Sequence, residues 1–255
     1  MSVNLRNTGP GEALPLHCHG SADALADAVA AHLVRRLTDT LKRRARIVFV
    51  PSSGRTPGPI YARLRARYAA ALDWSRVHIL QMDEYADPDL PPPARFRAYL
   101  ERELVRPLRV GGFTCLDTAR GRRDAERLAD RIDLVLHGIG SNGHLAFNEP
   151  GAEQDGVLRQ VLLSRRTMAD NFGPDHDAHP LPFGYTLGLE ALSRADCSLL
   201  VATGAHKAPA LDALFGGATV RTCPAAILRD ARLAGRDVAV YADTAAAASI
   251  GKRAA

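Results

Sequence analysis

The chain has 255 residues, 46% of them hydrophobic and 24% charged, which suits one folded α/β domain with a sizeable core and excludes a disordered polymer. No run approaches the eighteen or so apolar residues of a membrane span, and Met1 to Gly20 lacks a signal-peptide pattern, so a cytoplasmic location with no membrane partner is expected. The net charge of +5 is spread among acids along the chain, with only Lys42 to Arg46 densely basic, so no nucleic-acid surface is expected.

Residues 1–20 read as a loose leader with turn signals at Gly9-Pro10-Gly11. From Ser21, a predicted N-cap, the apolar residues Leu25, Val29, Leu33, Leu37 and Leu41 recur every fourth position and predict an amphipathic helix ending at Lys42 to Arg44. Ile47 to Val50 is a buried strand, and a second helix carries Ile60, Tyr61, Leu64 and Tyr68. Val77 to Met82 is a strand that runs into Asp83 and Glu84. A Pro-rich loop then leads to a helix bearing Phe96 to Leu104, stopped by Pro107. A helix over 124–131, a strand over 133–136, a strand over 197–202, a helix from Lys207 to Phe215 and a last strand over 238–241 complete the pattern. Strand, loop and helix in this order predict a single α/β domain over 21–255, a doubly wound, mostly parallel sheet flanked by helices in three Rossmann-like layers. The stretch 165–184, rich in Gly, Pro, His and Asp, is a candidate lid.

Ligands of such sheets bind beyond the carboxyl ends of the strands, and three stretches follow strand ends. Ser52 to Pro57 can cradle an anion with backbone N–H groups, the hydroxyls of Ser53 and Thr56 and the start of the next helix; alone, it fits an ordinary βα turn equally well. Asp83 and Glu84 are adjacent, so only one can point into a site while the other faces away or anchors a loop. Gly138 to Gly151 sets His144 five residues before Glu149 among glycines, a spacing that can fold the imidazole back onto the carboxylate. Lys207, in the first turn of a helix, opposes the helix dipole unless it faces an anion; a surface lysine is the alternative. His17-Cys18-His19 and His176-Asp177-Ala178-His179 lack complementary ligands at standard spacing, so no metal is expected. The four cysteines are scattered and read as free thiols.

Taken together, residues 53–57 (SerGlyArgThrPro), 82–85 (MetAspGluTyr), 138–151, 186–188 (ThrLeuGly) and 204–207 (GlyAlaHisLys) resemble, in order, the glucosamine-6-phosphate deaminase/isomerase family, relatives of the 6-phosphogluconolactonases. The resemblance spans about Ala45 to Asp243, and the PheAsnGluPro continuation after GlyHis is the deaminase hallmark. It implies an enzyme converting glucosamine 6-phosphate to fructose 6-phosphate and ammonia without cofactor or metal. Asp83 would move the C2 proton to C1, and His144, tuned by Glu149 and positioned by Asn142, would open the ring. Ser53, Gly54, Arg55, Thr56 and Lys207 would hold the phosphate. Some relatives carry aspartate where this chain has Asn142, and the lid arginine of the best-known deaminases falls near Phe172; Arg165 or Arg166 could replace it through a shifted loop, and Arg55 adds a guanidinium that the usual phosphate loop lacks. A galactosamine-6-phosphate deaminase, a 6-phosphogluconolactonase and a non-catalytic sugar-phosphate sensor are the alternatives. The last would need a helix-turn-helix segment, for which the residues before the first strand leave too little room. Monomers, trimers and hexamers occur among relatives, so a homo-oligomer is an open expectation.

Overall fold

The computed structural model describes residues 3–5, 14–151, 156–172 and 182–250. In chain order the elements begin with β1 (Val3–Leu5), β2 (Leu16–His19), α1 (Ala22–Leu41), β3 (Ile47–Pro51), α2 (Gly58–Arg67), β4 (Val77–Leu80) and β5 (Asp83–Tyr85). There follow α3 (Phe96–Leu100), a π-helical segment (Glu101–Val105), α4 (Arg106–Leu108), β6 (Gly112–Thr114), α5 (Ala119–Ala129) and β7 (Ile132–Gly138). The remainder is β8 (Leu158–Leu162), α6 (Arg165–Phe172), β9 (Phe183–Leu187), α7 (Leu189–Ser193), β10 (Cys197–Ala202), α8 (Ala208–Phe215), α9 (Ile227–Leu233) and β11 (Asp237–Asp243).

The main sheet runs β1-β2-β11-β10-β7-β3-β4-β6, parallel throughout except for the β1 edge. Its strands are apolar without alternation because both faces are covered. In β3, Ile47 and Phe49 pack with α1 and α2, whereas Val48 and Val50 face α5 and α7 on the other side. In β10, Leu199 and Val201 join the first layer and Leu200 and Ala202 face α8 and α9. This is the expected three-layer, doubly wound fold. Helix α1 starts where Ser21 Oγ accepts the Ala24 N–H at 3.1 Å, and it buries Leu25, Val29, Leu33 and Leu37. No helix among the described residues is long and apolar enough to cross a membrane.

The structure departs from the sequence reading at several places, and β1, β6, β8, α7 and α9 are elements that reading did not predict. Leu16–His19, assigned to a loose leader, is a sheet strand beside β11; two of its four residues are histidines, and the burial comes from its neighbour rather than from an apolar run. The helix bearing Phe96 passes Pro107 and ends at Leu108, after the π-helical segment has shifted the hydrogen-bond pattern ahead of the proline, with Arg109 left-handed at φ 54°. The excursion 165–184 contains α6 and the start of β9, while 173–181, including His176 to His179, lies outside the described residues. Finally, β4 stops at Leu80, and Asp83 opens a strand of a second, antiparallel sheet ordered β5-β9-β8.

Gln81 and Glu84 make that break. Glu84 is fully buried and accepts the N–H groups of Tyr85 (2.9 Å), Phe96 (3.2 Å) and Arg97 (2.8 Å) and the Gln81 amide (2.8 Å). Gln81 Oε1 in turn accepts Leu116 N–H at 2.9 Å. One carboxylate thus ties the second sheet to the start of α3. Glu84→Ala would leave several buried donors unpaired, and we expect it to lower the unfolding free energy by about 3 kcal/mol, read from urea denaturation.

Candidate active site

Strands β3 and β7 are neighbours, but the chain leaves β3 toward β4 on one side and leaves the β7 loop toward β10 on the other. The sheet therefore has a switch point between them, where a crevice opens beyond the carboxyl ends. A cleft of about 1250 Å³ occupies it. Ser53, Asp83, His144, Phe172 and Lys207 are among its lining residues.

On one wall, Ser52 N–H donates to Leu136 O at 3.0 Å and Tyr61 Oη donates to Ser52 O at 2.6 Å, so the loop is pinned to the sheet and to α2. Tyr99 Oη donates to Gly54 O at 2.8 Å, and Gly54 has φ +104°, a conformation that side-chain-bearing residues rarely adopt. Ser53, Gly54, Arg55 and Thr56 line the cleft just ahead of the N-terminus of α2. On the opposite wall, Gly204, at φ +85°, donates its N–H to both oxygens of Asp243 at 3.0–3.1 Å. That holds the short turn Ala205–Lys207, which leads into α8 and brings His206 and Lys207 to the cleft. Two helix starts and two cations facing one space make a field suited to an anion.

Asp83 lines the same cleft and is only 7% exposed. Burial pushes its carboxyl up to about 8, and the Glu84 charge next door adds to the push. Since Glu84 is consumed by four hydrogen bonds, the two neighbours have opposite fates: one is an anchor, the other a desolvated carboxyl in the cleft wall.

The loop after β7 closes through Gly143 N–H to Gly140 O and Gly140 N–H to His144 O, both at 3.0 Å. Two of its glycines are sterically required. A Cβ on Gly140 would lie 2.3 Å from the His144 ring, and one on Gly143, at φ +87°, would lie 2.5 Å from Cys223 Sγ. His144 Nδ1 lies 3.6 Å from Glu149 Oε2. Asn142 bridges the pair, donating from Nδ2 to Glu149 Oε2 at 2.8 Å and accepting His144 N–H at 3.2 Å. Burial would raise the Glu149 carboxyl, but His144, Thr167 and Asn142 together outweigh it and hold it at about 2. The continuation is structural: buried Asn148 donates to Leu145 O and Leu187 O, both at 2.9 Å, while Phe147 joins Tyr85, Phe96 and Phe172 in an aromatic wall.

Of the residues singled out from sequence, Asp83, His144, Ser53, Gly54, Arg55, Thr56 and Lys207 all line the cleft; Asn142 and Glu149 stand behind His144. Among the described residues the lysine and arginine side chains that line it are Arg55 and Lys207. Phe172 brings a ring to the cleft, packed 4.9 Å from Tyr85, where the family pattern expects a guanidinium. Arg165 is exposed and does not line the cleft, and the Arg166 side chain falls outside the described atoms. His17 is used elsewhere, stacked on Tyr241 at 4.7 Å. Sequence reasoning missed Ser164 and Thr167, whose hydroxyls reach Glu149; a Ser-x-x-Thr pair opening α6 was the available signal.

A family model described as glucosamine-6-phosphate isomerases/6-phosphogluconolactonase matches residues 20–237. The chain is 32% identical over 235 residues to a glucosamine-6-phosphate deaminase of Arthrobacter sp. (strain FB24), covering 88% of each. Among solved structures, a monomeric glucosamine-6-phosphate deaminase superposes with a TM-score of 0.76 at 25% identity, over 91% of this chain and 98% of its own. The 6-phosphogluconolactonase from Trypanosoma brucei also gives 0.76, at 18% identity and over 94% and 99% of the two chains, a likeness of fold alone.

The Glu149 geometry has a measurable consequence for stability. A carboxyl whose folded pKa is depressed contributes stability above its unfolded pKa and loses it as pH falls toward the folded value, here about 2. Glu149→Gln has no proton to gain. Between pH 5 and pH 2 it should lose about 2 kcal/mol less unfolding free energy than the parent, measured by urea denaturation at each pH.

Proposed function

Because the chain belongs to the family of glucosamine-6-phosphate isomerases and 6-phosphogluconolactonases, its cleft has two chemistries to choose between, and we propose the first: conversion of glucosamine 6-phosphate to fructose 6-phosphate and ammonia. The phosphate lies between the Ser53–Thr56 loop and Lys207, which places the sugar carbons toward Asp83 and His144. His144 transfers the proton between the ring oxygen and C1 hydroxyl as the ring opens, and Glu149 stabilises the imidazolium that forms. Asp83 takes the C2 proton of the open-chain aldehyde, giving an enolamine, and returns a proton to C1. The nitrogen then stands on C2 as an iminium. Water adds to that carbon, the C–N bond breaks, and ammonia leaves behind the ketone. The substrate's own amine and carbonyl carry the electrons, so the reading invokes no cofactor.

The observation that supports deamination over lactone hydrolysis is His144, backed by Glu149 and Asn142, lining the same cleft as Asp83. Deamination needs two separate proton carriers, one on the ring oxygen and one at C2, and the imidazole pair and Asp83 supply both, whereas lactone hydrolysis needs only one general base for its water. All the residues invoked belong to one chain, and a solved relative is described as monomeric, so the reading does not depend on a partner subunit. A cytoplasmic location belongs with it, where phosphorylated sugars are made and kept. Ammonia release from glucosamine 6-phosphate and galactosamine 6-phosphate, set beside hydrolysis of 6-phosphogluconolactone, tests the assignment and the sugar epimer together. Lactone hydrolysis without ammonia from either amino sugar would sink it.

Asp83→Asn should cut ammonia release about a thousandfold while leaving competitive inhibitors bound, as expected for the loss of a general base. Burial keeps Asp83 protonated below about 8 in the substrate-free enzyme. The acid limb of kcat/KM should therefore rise through that pH, while in kcat it moves lower, because the substrate ammonium favours the carboxylate. Lys207→Ala should raise KM by about tenfold or more with a smaller change in kcat, since it removes a charge-assisted contact to the phosphate. Equal KM values for the two proteins would take Lys207 out of the site.

A further inference from the structure

Glu149 is held from two directions. Oε1 accepts the hydroxyls of Ser164 (3.0 Å) and Thr167, and Oε2 accepts the Asn142 amide at 2.8 Å. A carboxylate offers about four lone-pair sites. Three are taken, and the remaining one lies on Oε2, 3.6 Å from His144 Nδ1. That nitrogen is buried and makes no hydrogen bond. The gap is slightly too long for a hydrogen bond, and a small rotation of the carboxylate would close it. Whether the carboxylate rotates toward the ring or away from it is set by what grips Oε1.

The grip comes from one helix. Ser164 Oγ accepts Thr167 N–H at 3.1 Å and its carbonyl accepts Met168 N–H at 3.0 Å, so Ser164 caps α6 and Thr167 stands in the first turn, 3% exposed. Both hydroxyls reach Glu149 only when α6 is seated against the loop. The same helix ends at Phe172, whose ring lines the cleft. The titratable group facing Glu149 is His144; Asn142, Ser164 and Thr167 are neutral donors.

Building on the deaminase reading, we propose that Thr167 is a positioning residue for ring opening. Its hydroxyl fixes the Glu149 carboxylate with Oε2 turned toward His144, and so makes the seating of α6 a condition for the imidazole–carboxylate pair. Without the hydroxyl, Oε1 keeps only Ser164, and the carboxylate can swing off the imidazole toward other donors. Thr167 borders the cleft at one point, but the phosphate loop and Lys207 are untouched, so the substrate would still bind. Ring opening would slow.

Thr167→Val keeps the shape and removes the hydroxyl; Thr167→Ser keeps the hydroxyl and removes a methyl. Carboxyl-carbon NMR follows the Glu149 titration without requiring turnover. In Thr167→Val the midpoint should rise from about 2 by roughly one to two pH units, the equivalent of one hydrogen bond to a charged group, and in Thr167→Ser it should stay put. In the ammonia assay Thr167→Val should lower kcat about tenfold with KM within about twofold, and Thr167→Ser should restore the parent value. Should the valine protein not fold, Ser164→Ala, which strips the other Oε1 donor, must move the midpoint upward instead. An unmoved midpoint in the folded valine variant (or, failing that, in Ser164→Ala) would overturn the proposal, and so would a serine variant as impaired as the valine one. Absence of ammonia from the parent protein would defeat the deaminase reading, while the NMR comparison would still decide whether Thr167 sets Glu149.

Discussion

Glu84 accepts three backbone N–H groups and the Gln81 amide, and this anchorage is what leaves Asp83 where it is. The two residues are consecutive in a short strand, so their side chains leave on opposite sides. With Glu84 fixed in the interior, Asp83 faces the cleft, where burial desolvates its carboxyl. The result is a carboxyl that gains and loses its proton near neutral pH, a property the exposed form of the same side chain lacks. The break in the chain at Gln81, the second sheet and the start of α3 are arrangements around that single buried carboxylate.

The rest of the cleft supplies what such a group needs. The switch point between β3 and β7 opens the crevice, and the loops on either side meet it with two helix starts and two cations for an anionic tail. At the other end an imidazole is backed by a carboxylate that its donors keep charged. Asp83 titrates high because it is dry and beside a like charge, whereas Glu149 titrates low because donors outweigh its burial. Two carboxyls pushed in opposite directions within one site is the usual arrangement for separating proton carriage from charge stabilisation.

The layers of the fold were legible in the sequence wherever an element carried its own pattern. The fourfold spacing from Leu25 to Leu41 and the Ser21 cap correspond to α1 almost residue for residue, and the runs at 47–50 and 197–202 could only be strands buried on both faces. Elements whose burial comes from their neighbours were not legible. Leu16–His19 has two histidines in four residues, and α5, capped by Thr118, opens with Arg-Gly-Arg-Arg after Ala119, so only its second half was read as a helix. The convergence of 52–57, 83 and 138–149 followed from strand ends alone. The partners of Glu149 did not, because Ser164 and Thr167 lie fifteen and eighteen residues farther along in a stretch without apolar periodicity.

The proposed function sets one desolvated carboxyl, Asp83, in the cleft to meet an amine-bearing sugar phosphate. Its most direct test is the NMR titration of the Asp83 carboxyl carbon in the parent protein, empty and then saturated with the open-chain analogue 2-amino-2-deoxyglucitol 6-phosphate. The empty protein should show a midpoint near 8, and the analogue's ammonium should pull it down. A midpoint near the ordinary aspartate value of about 3.9 in the substrate-free protein, or one that bound analogue leaves unchanged, would rule out Asp83 as the C2 base.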